Sequence, residues 1–239
     1  MFRNNASEGD LNRLFFLGLA CLILAIQVFA QGSVETSRIR HIVDSAKREG
    51  KSQVSVPGDV VRHYAEAQSL EQVLRTQVPL LVQIDRKTSC LTKDESGIVT
   101  WYQVRVLEIL NGTALPPFVS PDFEPAPPPE LRSIPDDSIL IHNTGGAVII
   151  DGVKATMPEA PISLTVGEKY LLFVRFDETH TGEPTHLAHL SLGSAGAFSY
   201  SDQTDLFSAV SSNPDERLSS SLREKTNGSL TKLRTLLTK

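Results

Sequence analysis

IVTWYQVRVLEIL, residues 98–110, is the stretch on which the fold turns. It is rich in β-branched and aromatic side chains, which suit a pleated, half-buried surface. Tyr102, Val104 and Val106 alternate with Gln103 and Arg105, the period of a strand. Asn111-Gly112 ends the run with a turn dipeptide. A run this long predicts a curved or bulged strand, which small barrels require. Other runs of the same kind lie on both sides. PLLVQIDR (79–86) precedes it, and Ser138 to His142, Ala147 to Ile150, KYLLFVRF (169–176), Leu187 to Leu192 and Ala197 to Tyr200 follow. Asn143-Thr144-Gly145-Gly146 and Asp151-Gly152 read as turns between strands. Short, turn-punctuated strands flanked by helical segments predict a mainly β protein: a small closed β-barrel with N- and C-terminal helices, α+β overall.

The flanks have the helical period. Ile39, Ile42, Val43 and Ala46 form one stripe within Ser33 to Gly50, with Lys47 and Arg48 in the last turn. Asp59 to Arg75 reads as helix, with a fresh start at Ser69, where Ser69 and Gln72 have capping-box spacing. The tail from Pro214 to Lys239 carries a stripe of Leu230, Leu233, Leu236 and Leu237. Leu115 to Asp137 has eight prolines, which rule out helix or inner strand and predict a surface loop or extended arm. The expected organisation is a leader over 1–30, a helical segment over 31–77, a barrel over 78–202 with an insertion at 115–137, and a helical segment over 203–239.

The leader rests on Leu14 to Ala30 (LFFLGLACLILAIQVFA), which contains no charge. Val28 and Ala30 suit the positions before a signal-peptidase cut, so the mature chain is expected to start at Gln31, in a secreted or periplasmic protein. An uncleaved N-terminal membrane anchor is the competing reading. Cleavage removes Cys21 and leaves Cys90 as the lone thiol, so no internal disulfide or Cys-based zinc site can form. The net charge of -5 opposes nucleic-acid binding. The membrane is a partner only through an uncleaved leader.

Chemical motifs are sparse. There is no G-x-S-x-G, P-loop, H-E-x-x-H, C-x-x-C or G-x-G-x-x-G. No catalytic or cofactor-binding residue is assigned, and no cofactor is expected. His180, His186 and His189, with Asp177, Glu178 and Glu183 nearby, are the only candidate metal ligands. Strand alternation sets His186 and His189 on opposite faces, and Thr179 to Pro184 reads as a polar hairpin tip. Asn143 to Gly146 offers a backbone nest for an anion beside His142, and one of the neighbours Trp101 and Tyr102 is expected to point outward.

Further residues carry a resemblance over Ser69 to Tyr200. They are Ser69-Leu70-Glu71 before an apolar strand, the ending VRVLEILNG at 104–112, Gly145-Gly146, GEKYLLF at 167–173, and Gly193 and Gly196 before Phe198. In these the chain resembles exported bacterial proteins of unknown function with an OB-like barrel, related in shape to the netrin module and to tissue inhibitors of metalloproteinases. The resemblance implies an OB-like fold. Those inhibitors set an N-terminal Cys amine on the protease zinc, a group that a start at Gln31 does not supply. The expected function is an exported, non-enzymatic binding or protein-interaction module whose partner is an extracytoplasmic protein or ligand. The rival is a metal-dependent hydrolase using His180, His186 and His189.

Overall fold

The computed structural model describes residues 38–58, 69–112, 114–116, 126–178, 184–210 and 216–238. The expected leader and His180 lie outside these residues, as do most of the first expected turns of the 59–75 helix. Among the described residues, no helix is long and apolar enough to cross a membrane.

The protein is mainly β, with helices flanking one sheet of nine strands. In chain order the elements are α1 (Arg38–Arg48), β1 (Gln53–Ser55), α2 (Leu70–Thr76), β2 (Val78–Leu91), β3 (Ile98–Ile109), β4 (Ser138–Ile150), β5 (Val153–Ala160), β6 (Lys169–Glu178), β7 (Pro184–His189), β8 (Ala197–Ser201), β9 (Leu206–Ala209), α3 (Glu216–Thr226) and α4 (Leu230–Leu237). Neighbouring strands run β1-β5-β4-β3-β2-β6-β8-β9, and β7 pairs with both β4 and β6. The β4–β7 pairing is parallel and the β6–β7 pairing antiparallel. The pairings β2–β3–β4–β7–β6–β2 thus run in a ring. Two register shifts in the β2–β3 ladder, at Leu81/Val82 and Ile84/Arg86, supply the bulges expected of long strands that must bend.

Residues 143–146 are not a turn between strands. They lie within β4, whose ladder with β5 shifts register between Thr144 and Gly146. The two glycines permit close approach here. A Cβ on Gly145 would come 2.0 Å from the Pro158 carbonyl oxygen, and one on Gly146 would come 2.1 Å from Thr100 Oγ1. Asp151 and Gly152 do form the β4–β5 turn, both with positive φ. Residues 203–239 hold the strand β9 as well as α3 and α4.

Alternation on β6 sorts the core. Tyr170, Leu172 and Val174 join Leu80, Val82, Ile84, Tyr102, Val104, Ile139 and Ile141 inside the ring. Leu171 and Phe173 point the other way, onto a second cluster with Leu70 and Val73 of α2, Leu218 and Leu222 of α3, and Leu230 and Leu233 of α4. A third cluster seats Ile39, Val43 and Ala46 of α1 on β5. Val106, expected inside, is only partly buried at the rim. Ser69 caps α2 by accepting a bond from the Gln72 N–H, and Ser229 caps α4 by accepting one from Lys232.

Leu172 has no exposed surface and lies at the centre of the interior cluster. Leu172→Ala is expected to lower stability by about 2–5 kcal/mol, read as a shifted midpoint in urea melts. A loss below about 0.5 kcal/mol would contradict this packing.

Candidate functional site

The described part of the histidine group does not converge. His189 Nδ1 lies 2.7 Å from Asp177 Oδ1 at the surface, as β7 pairs with β6. His186 is 2% exposed and buried. Among the described residues, no group of three or more His, Cys, Asp or Glu side chains is placed to hold a metal.

A denser polar cluster closes one end of the ring. The Tyr102 hydroxyl donates to the Glu159 carboxylate and accepts from the Leu164 N–H at 3.2 Å. Lys87 Nζ lies 2.6 Å from Glu159 Oε1, donates to Ser163 Oγ at 3.0 Å, and sits 5.5 Å from the Tyr102 ring centre. Asn143 Nδ2 donates to the Ile162 carbonyl at 2.7 Å, and the Thr165 N–H donates to the Tyr170 hydroxyl at 3.1 Å. Burial, reinforced by the bond to Glu159, pushes the Tyr102 phenol well up, so it stays a proton donor. Every member of this network ties residues 159–165 to a strand. It is a latch, and it occupies the place where the sequence suggested an anion nest.

The neighbouring wall is covered as well. Trp101 and Tyr102 are both buried, although they face opposite sides of β3. Trp101 packs with Leu140 and Leu187 beneath Leu131 and Ile134, and its ring centre lies 5.0 Å from that of His142. The proline-rich insertion therefore contributes core through Leu131, and is not wholly a surface arm. Its three-residue 3-10 turn, Pro129–Leu131, aims that side chain inward. Cys90 is half-buried at the edge of this patch. Burial, then the nearby Glu130 charge, pushes its thiol up, which keeps it protonated and unreactive.

An open cleft of about 810 Å³ lies where the sheet ends. The hairpin β8–β9 forms one side and α3 the other; Ser199, Tyr200, Ser208, Ser220, Arg223 and Asn227 are among its lining. Phe198 and Phe207 form an apolar base, their rings 5.7 Å apart and edge-on. Ser199 and Ser208 hydroxyls are 2.9 Å apart across the hairpin. Ser219 Oγ is buried in the wall and has no hydrogen-bond partner. Arg223 is exposed and makes no ion pair among the described residues.

The frame around the cleft is fixed by Asp205, in the β8–β9 turn. Its Oδ2 accepts from Ser229 Oγ at 2.7 Å and from the Thr231 N–H at 3.2 Å. The Ser229 bond holds this carboxyl below the usual range. The hairpin tip is thereby bolted to the start of α4. Sequence reasoning missed the cleft because β9 is only four residues long and lay inside a stretch read as helical. The hydroxyl-rich runs Ser199–Ser201 and Ser219–Ser221 were its only sequence signal.

No family model, curated protein or solved structure matches this chain.

Burial holds the His186 imidazole below its ordinary pKa, so the folded protein keeps it neutral while the unfolded chain protonates near pH 6.5. The folded state binds fewer protons in that window. Its stability from this group is present above pH 6.5 and is lost as pH falls towards the folded-state value. Urea melts at pH 7.5 and pH 5.5 should show a stability drop in wild type that His186→Gln reduces. An unchanged pH slope in the variant would contradict this assignment.

Proposed function

We propose that the chain is an exported, non-enzymatic binding or protein-interaction module built on an OB-like closed barrel. Three kinds of pairing support the barrel. The meander β2–β3–β4 is antiparallel, β6 returns antiparallel to β2, and β7 fits between β6 and β4 with a parallel contact to β4. A five-stranded Greek-key barrel has this arrangement. The β8–β9 hairpin and the C-terminal helices are additions to it.

The cleft beside β9 carries the binding reading. It joins an apolar base, a wall of hydroxyl and amide groups and one free guanidinium, the mixture that orients a ligand without reacting with it. None of its lining side chains forms a nucleophile–base pair such as hydrolysis requires. The charge balance of the chain weighs against nucleic acid as the ligand. Leu14 to Ala30 and the Val28-Phe29-Ala30 ending support export, with the secreted or periplasmic space as destination and an N-terminal anchor as the alternative.

Two measurements test this reading. N-terminal sequencing of the fractionated protein should find a start at or near Gln31 outside the cytoplasm; retention of Leu14 to Ala30 in membranes would favour the anchor, and cytoplasmic protein would refute export. A panel of peptides, oligosaccharides and single-stranded DNA should yield a ligand among the first two classes. Its affinity should fall at least tenfold in Ser220→Trp, which fills the cleft, with an unchanged thermal midpoint. Turnover of a panel member, or binding indifferent to the filled cleft, would contradict the proposal.

A further inference from the structure

We infer that the cleft takes an extended peptide that adds a strand to β9 and sets a carboxylate on Arg223. The inference rests on the reading of the cleft as a binding site and names its ligand class.

The backbone comes first. β9 is the last strand of the sheet and pairs only with β8 along its length, apart from a bridge between Leu206 and Ser229. The Val210 N–H donates to the Ala197 carbonyl, which fixes the phase of the ladder. Residues paired in the β8–β9 register then alternate. Ser208, opposite Ser199, turns its N–H and C=O toward β8, while Phe207 and Ala209 turn theirs away. The Phe207 N–H does point outward, onto the Gly228 carbonyl at 2.8 Å. The Ala209 N–H and C=O point the same way, and among the described residues nothing bonds to them. They face the cleft, which both Ala209 and α3 line.

An edge strand beside a helix-walled cleft is the geometry for strand addition, where main-chain bonds supply affinity and flanking side chains supply selectivity. A globular protein surface cannot enter such a slot, and a sugar does not present alternating amides to Ala209. The charges select further. Arg223 and Glu168 are the charged lining residues. Glu168 directly precedes β6, and β8 lies between β6 and β9, so Glu168 is set back from the open edge by two strand spacings, about 10 Å. Arg223 stands on α3 at the edge itself, without a partner, and a guanidinium binds a carboxylate through paired N–H donors. Ser219 Oγ, buried in the same wall and unbonded, is available to a further polar group of the peptide.

Ala209→Pro separates this inference from general binding. Proline removes the outward N–H while leaving the β8-facing bonds of Ser208 and Val210, and edge strands tolerate it. The full chain is panned in mild detergent against a displayed random nonapeptide library. Selected peptides should share an acidic side chain or free C-terminus at a fixed position. Their affinity should fall at least tenfold in Ala209→Pro and on N-methylation of the peptide backbone. Arg223→Gln should abolish the preference for an acidic peptide over its amide counterpart. Circular dichroism and thermal melts confirm that both variants fold; should Ala209→Pro not fold, the N-methylated peptide makes the same test on wild type. Undiminished binding to Ala209→Pro or to the methylated peptide would overturn the inference. An oligosaccharide that is displaced by Ser220→Trp but is indifferent to Ala209→Pro would overturn it and leave the binding role of the cleft standing. A chain that binds neither class would overturn both.

Discussion

Strand β6 is apolar on both faces, and a strand of that kind needs cover on both. Tyr170, Leu172 and Val174 supply one face and Leu171 and Phe173 the other, all of them buried. The inward set is enclosed by the ring of strands. The outward set has no strand to meet and is covered by α2, α3 and α4, whose leucines converge on Phe173 and Phe198. The helices therefore belong to the fold and do not merely trail from it. Arg234 on α4, held by the Glu108 carboxylate of β3 at 2.6–3.0 Å, ties that cover to the opposite part of the sheet.

The cleft follows from the same constraint. β8 and β9 extend the sheet past β6, and their Phe198 and Phe207 continue the surface that the helices must cover. Helix α3 covers Phe198 and Phe207 only in part, so apolar rings, hydroxyl groups and an unused strand edge meet at one place. The opposite wall is handled differently. There Leu131 and Ile134 seal Trp101, and the Tyr102–Glu159–Lys87 latch seals the end, which leaves no comparable opening among the described residues. Selective completeness of cover is what gives this molecule one accessible concave surface of mixed chemistry.

Most of the sheet was legible in the sequence because β2, β3 and β6 bury residues with period two, and a two-sided strand such as KYLLFVRF can be recognised by length and β-branched content. The C-terminal stripe of leucines likewise identified α4. What failed depended on contacts between distant residues. Gly145 and Gly146 look like a turn locally, but they mark where β4 passes close to Pro158 and Thr100. Leu131 sits among prolines, and nothing local says that it meets Trp101. The cleft was illegible for the same reason: it is made from β9, too short to show a period, and from serines on α3 that are ordinary surface residues until the fold sets them beside a sheet edge. Sequence alternation did separate His186 from His189, yet it did not foresee that His186 would be buried.

The most direct test of this account is amide hydrogen exchange, read residue by residue along β9 in the free protein. Ser208 and Val210 face β8 and should be protected, whereas the Ala209 amide between them should exchange quickly, as an open edge requires. Equal protection of all three would show that the edge is already paired, and the cleft could not then receive a strand.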